Sequence, residues 1–257
     1  MRVRLRFSKI GKIRWTSHRD LARMWERAFR RVSLPLAYTG GFSPRPRVSF
    51  GLALPTGHES VAEYLDLELD DARAGEVDVD ALAGVLSAAL PAGVDATAAA
   101  LIDERARSLQ QEVTSCTWEI AAAGTTEHRM RELVSSVLAA DEVVISRERK
   151  GQEVIDDIRP ALVAVTVLGP AEGDLAGEPG APAAPGSVAL RAELTAQPRS
   201  VRPAELLAAL DGSLVEVRSR RTHQWISRAD GSRTEPLAAP PLDTGNGAPP
   251  PLVEVVS

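Results

Sequence analysis

Apolar and polar residues alternate through the opening RVRLRF, so Val3, Leu5 and Phe7 share one face of a strand and Arg2, Arg4 and Arg6 the other. After a turn at Gly11 the period changes to that of a helix. Leu21, Met24, Trp25, Ala28, Phe29 and Val32 make its apolar face, and Arg19, Arg23, Arg27 and Arg30 run opposite. Ser17 stands at the N-cap with Asp20 three residues on. The pattern then predicts a short strand near 36–39, a strand near 47–54, a strand in VAEYLDLEL with Leu65, Leu67 and Leu69 on one face, a helix over 79–90 and a strand over 95–102. The order βαββαβ is ferredoxin-like.

A second unit repeats the plan. VTSCTWEIA reads as a strand, and Met130, Leu133, Val134, Val137 and Leu138 mark a helix. A hairpin follows, turning near Lys150 and Gly151; then come strands in ALVAVTVL and SVALRAEL, a helix opened by Pro203, and a closing strand in SLVEVRSR. The expected fold class is therefore α+β, two tandem ferredoxin-like (βαββαβ-type) domains over 1–106 and 111–226. The Gly/Pro/Ala-rich insertion at 169–186 is expected to be mobile, and residues 227–257 to form a disordered C-terminal tail.

Charge sharpens this picture. Residues 1–50 carry thirteen Lys or Arg against Asp20 and Glu26, whereas residues 59–80 carry nine acidic residues against Arg73, although the whole chain is only −5. Such segregation calls for an anionic partner of the first segment or for neutralisation by the second. The expected topology sets the first and third strands side by side. Arg2, Arg4 and Arg6 then meet Tyr64, Asp66 and Glu68 across strands, which cancels part of the charge.

The candidate chemistry concentrates in AYTGGFSPRPRVSFGLALPTG, residues 37–57, with four glycines, three prolines and two arginines. Gly and Pro each impose a backbone conformation, and a loop so punctuated is suited to hold a ligand. Phe42 is a candidate stacking residue and Arg45 and Arg47 candidate phosphate contacts; in the structural alternative Phe42 packs under the sheet edge. Lys12, Arg14, His18, Arg19 and Arg23 cluster at the start of the first helix, where free amides favour anions. An imidazole there is also a weak candidate for RNA strand cleavage, beside the plainer reading of a His that assists capping.

In the second unit Lys150 and Arg159 flank a hairpin, and Arg199 and Arg202 precede a helix. Asp156 and Asp157, adjacent on a strand, point to opposite faces and do not converge on one ion. Cys116, Trp15, Trp25 and Trp225 are expected in the core. One cysteine and four scattered histidines predict no disulfide, no metal and no cofactor. The absence of a long apolar run predicts no membrane partner and a cytoplasmic protein.

Three stretches, GKIRWTSHRDLARMWERAFRR, GGFSPRPRVSFGLALPTGHESVAEYLDLEL and RKGQEVIDDIRP, resemble the radical SAM-linked proteins, a bacterial family of unknown function found beside or fused to radical S-adenosylmethionine proteins. The likeness covers roughly residues 1–225. It implies a radical SAM protein as partner, and the chain lacks the CxxxCxxC triplet of the enzyme itself. The expected function is that of an accessory protein that binds structured RNA, tRNA or rRNA, for modification or processing. The alternatives are a metal-independent endoribonuclease using His18 and a protein adaptor without RNA contact.

Overall fold

In the computed structural model, which describes residues 1–149, 151–176 and 186–237, the alternating start becomes β1 (Arg2–Lys9) and the first amphipathic stretch α1 (His18–Arg31). The first unit continues with β2 (Val48–Phe50), β3 (Glu59–Glu68), α2 (Val79–Ser87) and β4 (Val94–Ile102), and a short α3 (Leu109–Glu112) links it onward. The second comprises β5 (Ser115–Ala123), α4 (Glu127–Ala139), the hairpin β6 (Val144–Arg149) and β7 (Gln152–Asp157), then β8 (Leu162–Pro170), β9 (Val188–Thr195), α5 (Pro203–Leu210) and β10 (Val215–Ser227). β11 (Arg233–Thr234) follows, paired with β10.

Both units are ferredoxin-like. The strand order β4-β1-β3-β2 in the first and β10-β5-β9-β8 in the second is the same, with every pair antiparallel. The hairpin β6-β7 is inserted between α4 and β8 as a separate two-stranded sheet. β2 has only three residues and covers β3 at Leu65–Leu67, which leaves the start of β3 unpaired on that side. β10 occupies it, in parallel at Arg220↔Glu59 and Arg221↔Ser60, and the two sheets become one.

Each unit has its own core on the helical side of the sheet. Val3, Leu5 and Phe7 pack with Leu21, Trp25 and Phe29 of α1 and with Leu82 and Leu86 of α2; Ile120, Leu190 and Leu194 pack with Met130 of α4 and with Leu206 and Leu207 of α5. The opposite face of β1 is also buried. Arg2, Arg4 and Arg6 stand opposite Glu68, Asp66 and Tyr64, on the shared face that alternation implies. Arg4 grips Asp66 through two nitrogens at 2.7 and 3.0 Å, and Arg2 reaches the same carboxylate at 2.8 Å.

Arg6 has no acid opposite it on β3 and takes one from beyond β10. Glu235 Oε2 accepts from Arg6 at 2.8 Å, its Oε1 from the Tyr64 hydroxyl at 3.3 Å, and Leu237 packs on Tyr64, Ala62 and Leu109. The expected tail therefore begins later than 227: residues 228–237 fold back over the first unit, and 238–257 lie outside the described residues. Of the expected mobile insertion, residues 169–176 finish β8 and a short turn and Ala176 is buried, while 177–185 lie outside the described residues. Glu235→Ala leaves Arg6, 4% exposed, without its counter-charge; a loss of about 2 kcal/mol is expected from urea denaturation.

Gly93, between α2 and β4, adopts φ +87°, and a Cβ there would meet the Ile10 carbonyl oxygen at 2.5 Å. The same segment accepts the Ile10 N–H at 2.8 Å, so the backbones cannot move apart without losing a hydrogen bond. Gly93→Ala should cost about 2 kcal/mol, since left-handed strain adds to the clash. An unchanged urea midpoint would contradict this packing.

Candidate nucleic-acid interface

The rotation of α1 is set by its buried stripe. Trp25 packs edge-on to Phe7 at 5.0 Å and beside Phe29 at 5.5 Å, and with Leu21 and Ala28 it faces the sheet. Ser17 caps the helix by accepting from the Asp20 amide at 3.2 Å. Arg19, Arg23, Arg27 and Arg30 are consequently turned to solvent.

The Gly/Pro loop faces this basic side. Its neck is closed by two backbone hydrogen bonds, Thr39 N–H to Arg45 carbonyl at 2.9 Å and Arg47 N–H to Ala37 carbonyl at 2.8 Å, which together form the bridge Tyr38↔Pro46. The Thr39 hydroxyl also accepts from the Arg45 amide at 3.1 Å. At the tip Gly41 takes φ +111°, and Phe42 projects with no protein around its ring. The alternative in which Phe42 packs under the sheet edge is therefore excluded.

Between helix and loop lies a groove of about 850 Å³ lined by Arg19, Arg23, Arg30, Arg45 and Arg73, with Tyr38 half exposed on its wall. Glu26 and Asp70 also line it, so five cations face two acids. Arg23 is shared with Asp20 at 3.1 Å and Arg73 with Glu76 at 2.8 Å. Among the described residues, Arg19, Arg30 and Arg45 have no ion-pair partner. The Asp20 carboxyl is held below the usual carboxylate range, first by the Ser17 hydroxyl and then by Arg23 and Arg19.

Of the residues that the sequence singles out, the groove unites Arg19, Arg23 and Arg45, with Phe42 at the tip of the same loop. Arg47 points elsewhere and pairs with Glu68 at 2.8 Å. Lys12 is exposed in the turn before α1, and His18 is exposed with its ring edge-on to Phe50 at 5.2 Å. Arg14 is buried with its guanidinium 4.9 Å from the Trp15 ring centroid, and Trp15 is 62% exposed instead of lying in the core.

The second unit supplies none of this groove. Arg159 donates to the Leu138 and Ala140 carbonyls at 2.8 and 3.2 Å, tying down the end of α4. Arg199 pairs with Asp156 at 3.1 Å, and Arg202 is the N-cap residue of α5. Lys150 lies outside the described residues. Asp157 turns away from Asp156 and accepts from the Val143 and Arg159 amides, which keeps its pKa low. Cys116 is buried as expected, and burial raises its thiol pKa.

Sequence reasoning left Arg30, Tyr38 and Arg73 out of the set. Arg30 is visible in the helical stripe; Tyr38 and Arg73 join through the chain path around 33–38 and 70–73, for which periodicity has no signal.

The fold and site define a pair of fused ferredoxin-like units with an arginine-lined groove on the first. The chain belongs to the family described as "Uncharacterized protein conserved in bacteria (DUF2344)", which matches residues 2–203. No curated protein matches it. A chain of the solved structure titled "Crystal Structure of a Cbf5-Nop10-Gar1 Complex" is similar over 86% of this chain, at 11% identity and a TM-score of 0.46. The present chain spans about half, 48%, of that one. No helix among the described residues is long and apolar enough to cross a membrane.

Proposed function

We propose that this protein binds structured RNA, tRNA or rRNA, through the groove between α1 and the 39–46 loop, as an accessory chain to a radical SAM partner in RNA modification or processing. The observation that carries the reading is the meeting of Arg19, Arg23, Arg30 and Arg45 in one groove beside the exposed rings of Tyr38 and Phe42. Arginines spaced along a helix neutralise successive phosphates and release their condensed counterions. Exposed rings on a braced loop offer a base a stacking surface at little entropic cost. Arg2, Arg4, Arg6 and Arg47 are paired with acids, whereas Arg19, Arg30 and Arg45 of the groove have no such partner among the described residues. The radical SAM partner rests on the sequence resemblance.

Binding of unfractionated tRNA and of rRNA fragments, titrated against salt, tests the reading. Affinity should fall steeply as salt rises. Pull-down of a radical SAM protein that survives nuclease, with no RNA affinity in the purified chain, would favour the adaptor.

A further inference from the structure

A second cavity, of about 830 Å³, lies where the two units join, walled by the 52–56 loop, β5, the end of β9 and the start of α5. Small-molecule sites commonly measure roughly 300–1,000 Å³ and combine an apolar lining with a few placed polar groups. Leu54, Trp118, Leu194 and Val201 give the apolar part, all of them buried. Arg147, Arg202 and Arg221 give positive charge, and Glu205 is the acid of the lining.

Two of these arginines are fixed in place by acids. Arg221, 2% exposed, is held by Glu63 at 2.6 Å, and Arg147 by Asp156 at 2.8 Å and Glu205 at 3.1 Å. Arg202 differs: it is the exposed N-cap residue of α5, its amide donates to Glu205 at 2.8 Å, and its guanidinium has no ion-pair partner among the described residues. Arg199, three residues before it, pairs with Asp156 at 3.1 Å and does not line the cavity. The cavity thus pairs an apolar pocket with one arginine, Arg202, that no acid holds among the described residues.

We propose that this cavity binds a nucleoside phosphate, with the base against Leu54, Trp118 and Leu194 and the phosphate at Arg202. The ligand is either a free nucleotide or one unit of an RNA strand. The RNA-borne form rests on the groove reading, and the free form does not.

Calorimetric titration with AMP, GMP, CMP, UMP, inorganic phosphate and a short single-stranded oligonucleotide tests this. The variants are Arg202→Ala, Ala53→Trp at an exposed position on the cavity wall, and Arg19→Ala/Arg23→Ala/Arg45→Ala in the groove. At least one mononucleotide should bind with one-to-one stoichiometry and more tightly than phosphate. Arg202→Ala should weaken it about tenfold, as expected for one charge-assisted contact. Ala53→Trp should abolish binding, and the groove variant should leave mononucleotide binding unchanged. Oligonucleotide binding that Ala53→Trp weakens, without mononucleotide binding, would assign the site to a unit of RNA. Binding indifferent to both cavity variants, no binding, or phosphate bound as tightly as nucleotides would overturn the proposal, whatever the groove variant does to RNA.

Discussion

Glu63→Gln should lower the stability of the protein by about 3–5 kcal/mol, the scale of removing one partner from a buried ion pair. Glu63 on β3 and Arg221 on β10 are 5% and 2% exposed, and three contacts of 2.6–2.9 Å join them across the seam between the units. The Arg221 guanidinium also donates to the Leu52 carbonyl at 2.9 Å and lies 5.3 Å from the Trp118 ring centroid, so it cannot swing to water without unpacking the junction. The parallel pairing of β3 with β10 involves only two residue pairs, and the ionic contacts must carry much of its registry. Urea denaturation of Glu63→Gln, Arg221→Met and the double variant measures the coupling. The double variant should recover much of the loss, because replacing both charges removes the unpaired ion. A Glu63→Gln effect below about 1 kcal/mol would mean that the seam does not depend on this pair.

Replacing Arg19, Arg23 and Arg45 together by Ala should weaken RNA binding by about 10²–10³ at physiological salt and reduce the magnitude of the slope of log affinity against log salt by about 2–3, close to one per lost phosphate contact. Stability should hardly change, because all three side chains are exposed and only Arg23 has an ion pair, itself on the surface. Arg27→Ala and Lys12→Ala are the controls: both residues are exposed cations of the same segment but do not line the groove. A loss equal to that of the groove variant in either control would indicate diffuse attraction to a basic surface.

The fold was legible where side-chain period and element order agree. Alternation in RVRLRF, joined to the βαββαβ order, sets the arginines of β1 on one face with Tyr64, Asp66 and Glu68 of β3, and the helical stripe places Trp25 inside and Arg19 and Arg23 outside. The fusion of the sheets was not legible. It depends on the shortness of β2, whose residues 48–50 sit in a longer strand-like run, and on a contact between residues about 160 apart that no local pattern encodes.

The return of residues 228–237 was masked by their Gly, Pro and Asp content, which on composition reads as disorder. The one available signal was the lack of an acid opposite Arg6. Trp15 departs from its expected place in the core for a similar reason: it lies in a single short turn with no period, and its ring is spread over Gly57 and Arg14 outside the core. In the candidate site the helix face and the loop were each visible, but the depth of the groove comes from the path of residues 33–38 and 70–73 between them.

The most direct measurement is ultraviolet crosslinking of the intact protein to its RNA, with the modified peptides identified by mass spectrometry. The account predicts crosslinks within residues 37–46, at Tyr38 or Phe42, lost together with binding in the Arg19→Ala/Arg23→Ala/Arg45→Ala variant. Crosslinks confined to the second unit, or a variant that crosslinks as the original protein does, would contradict it.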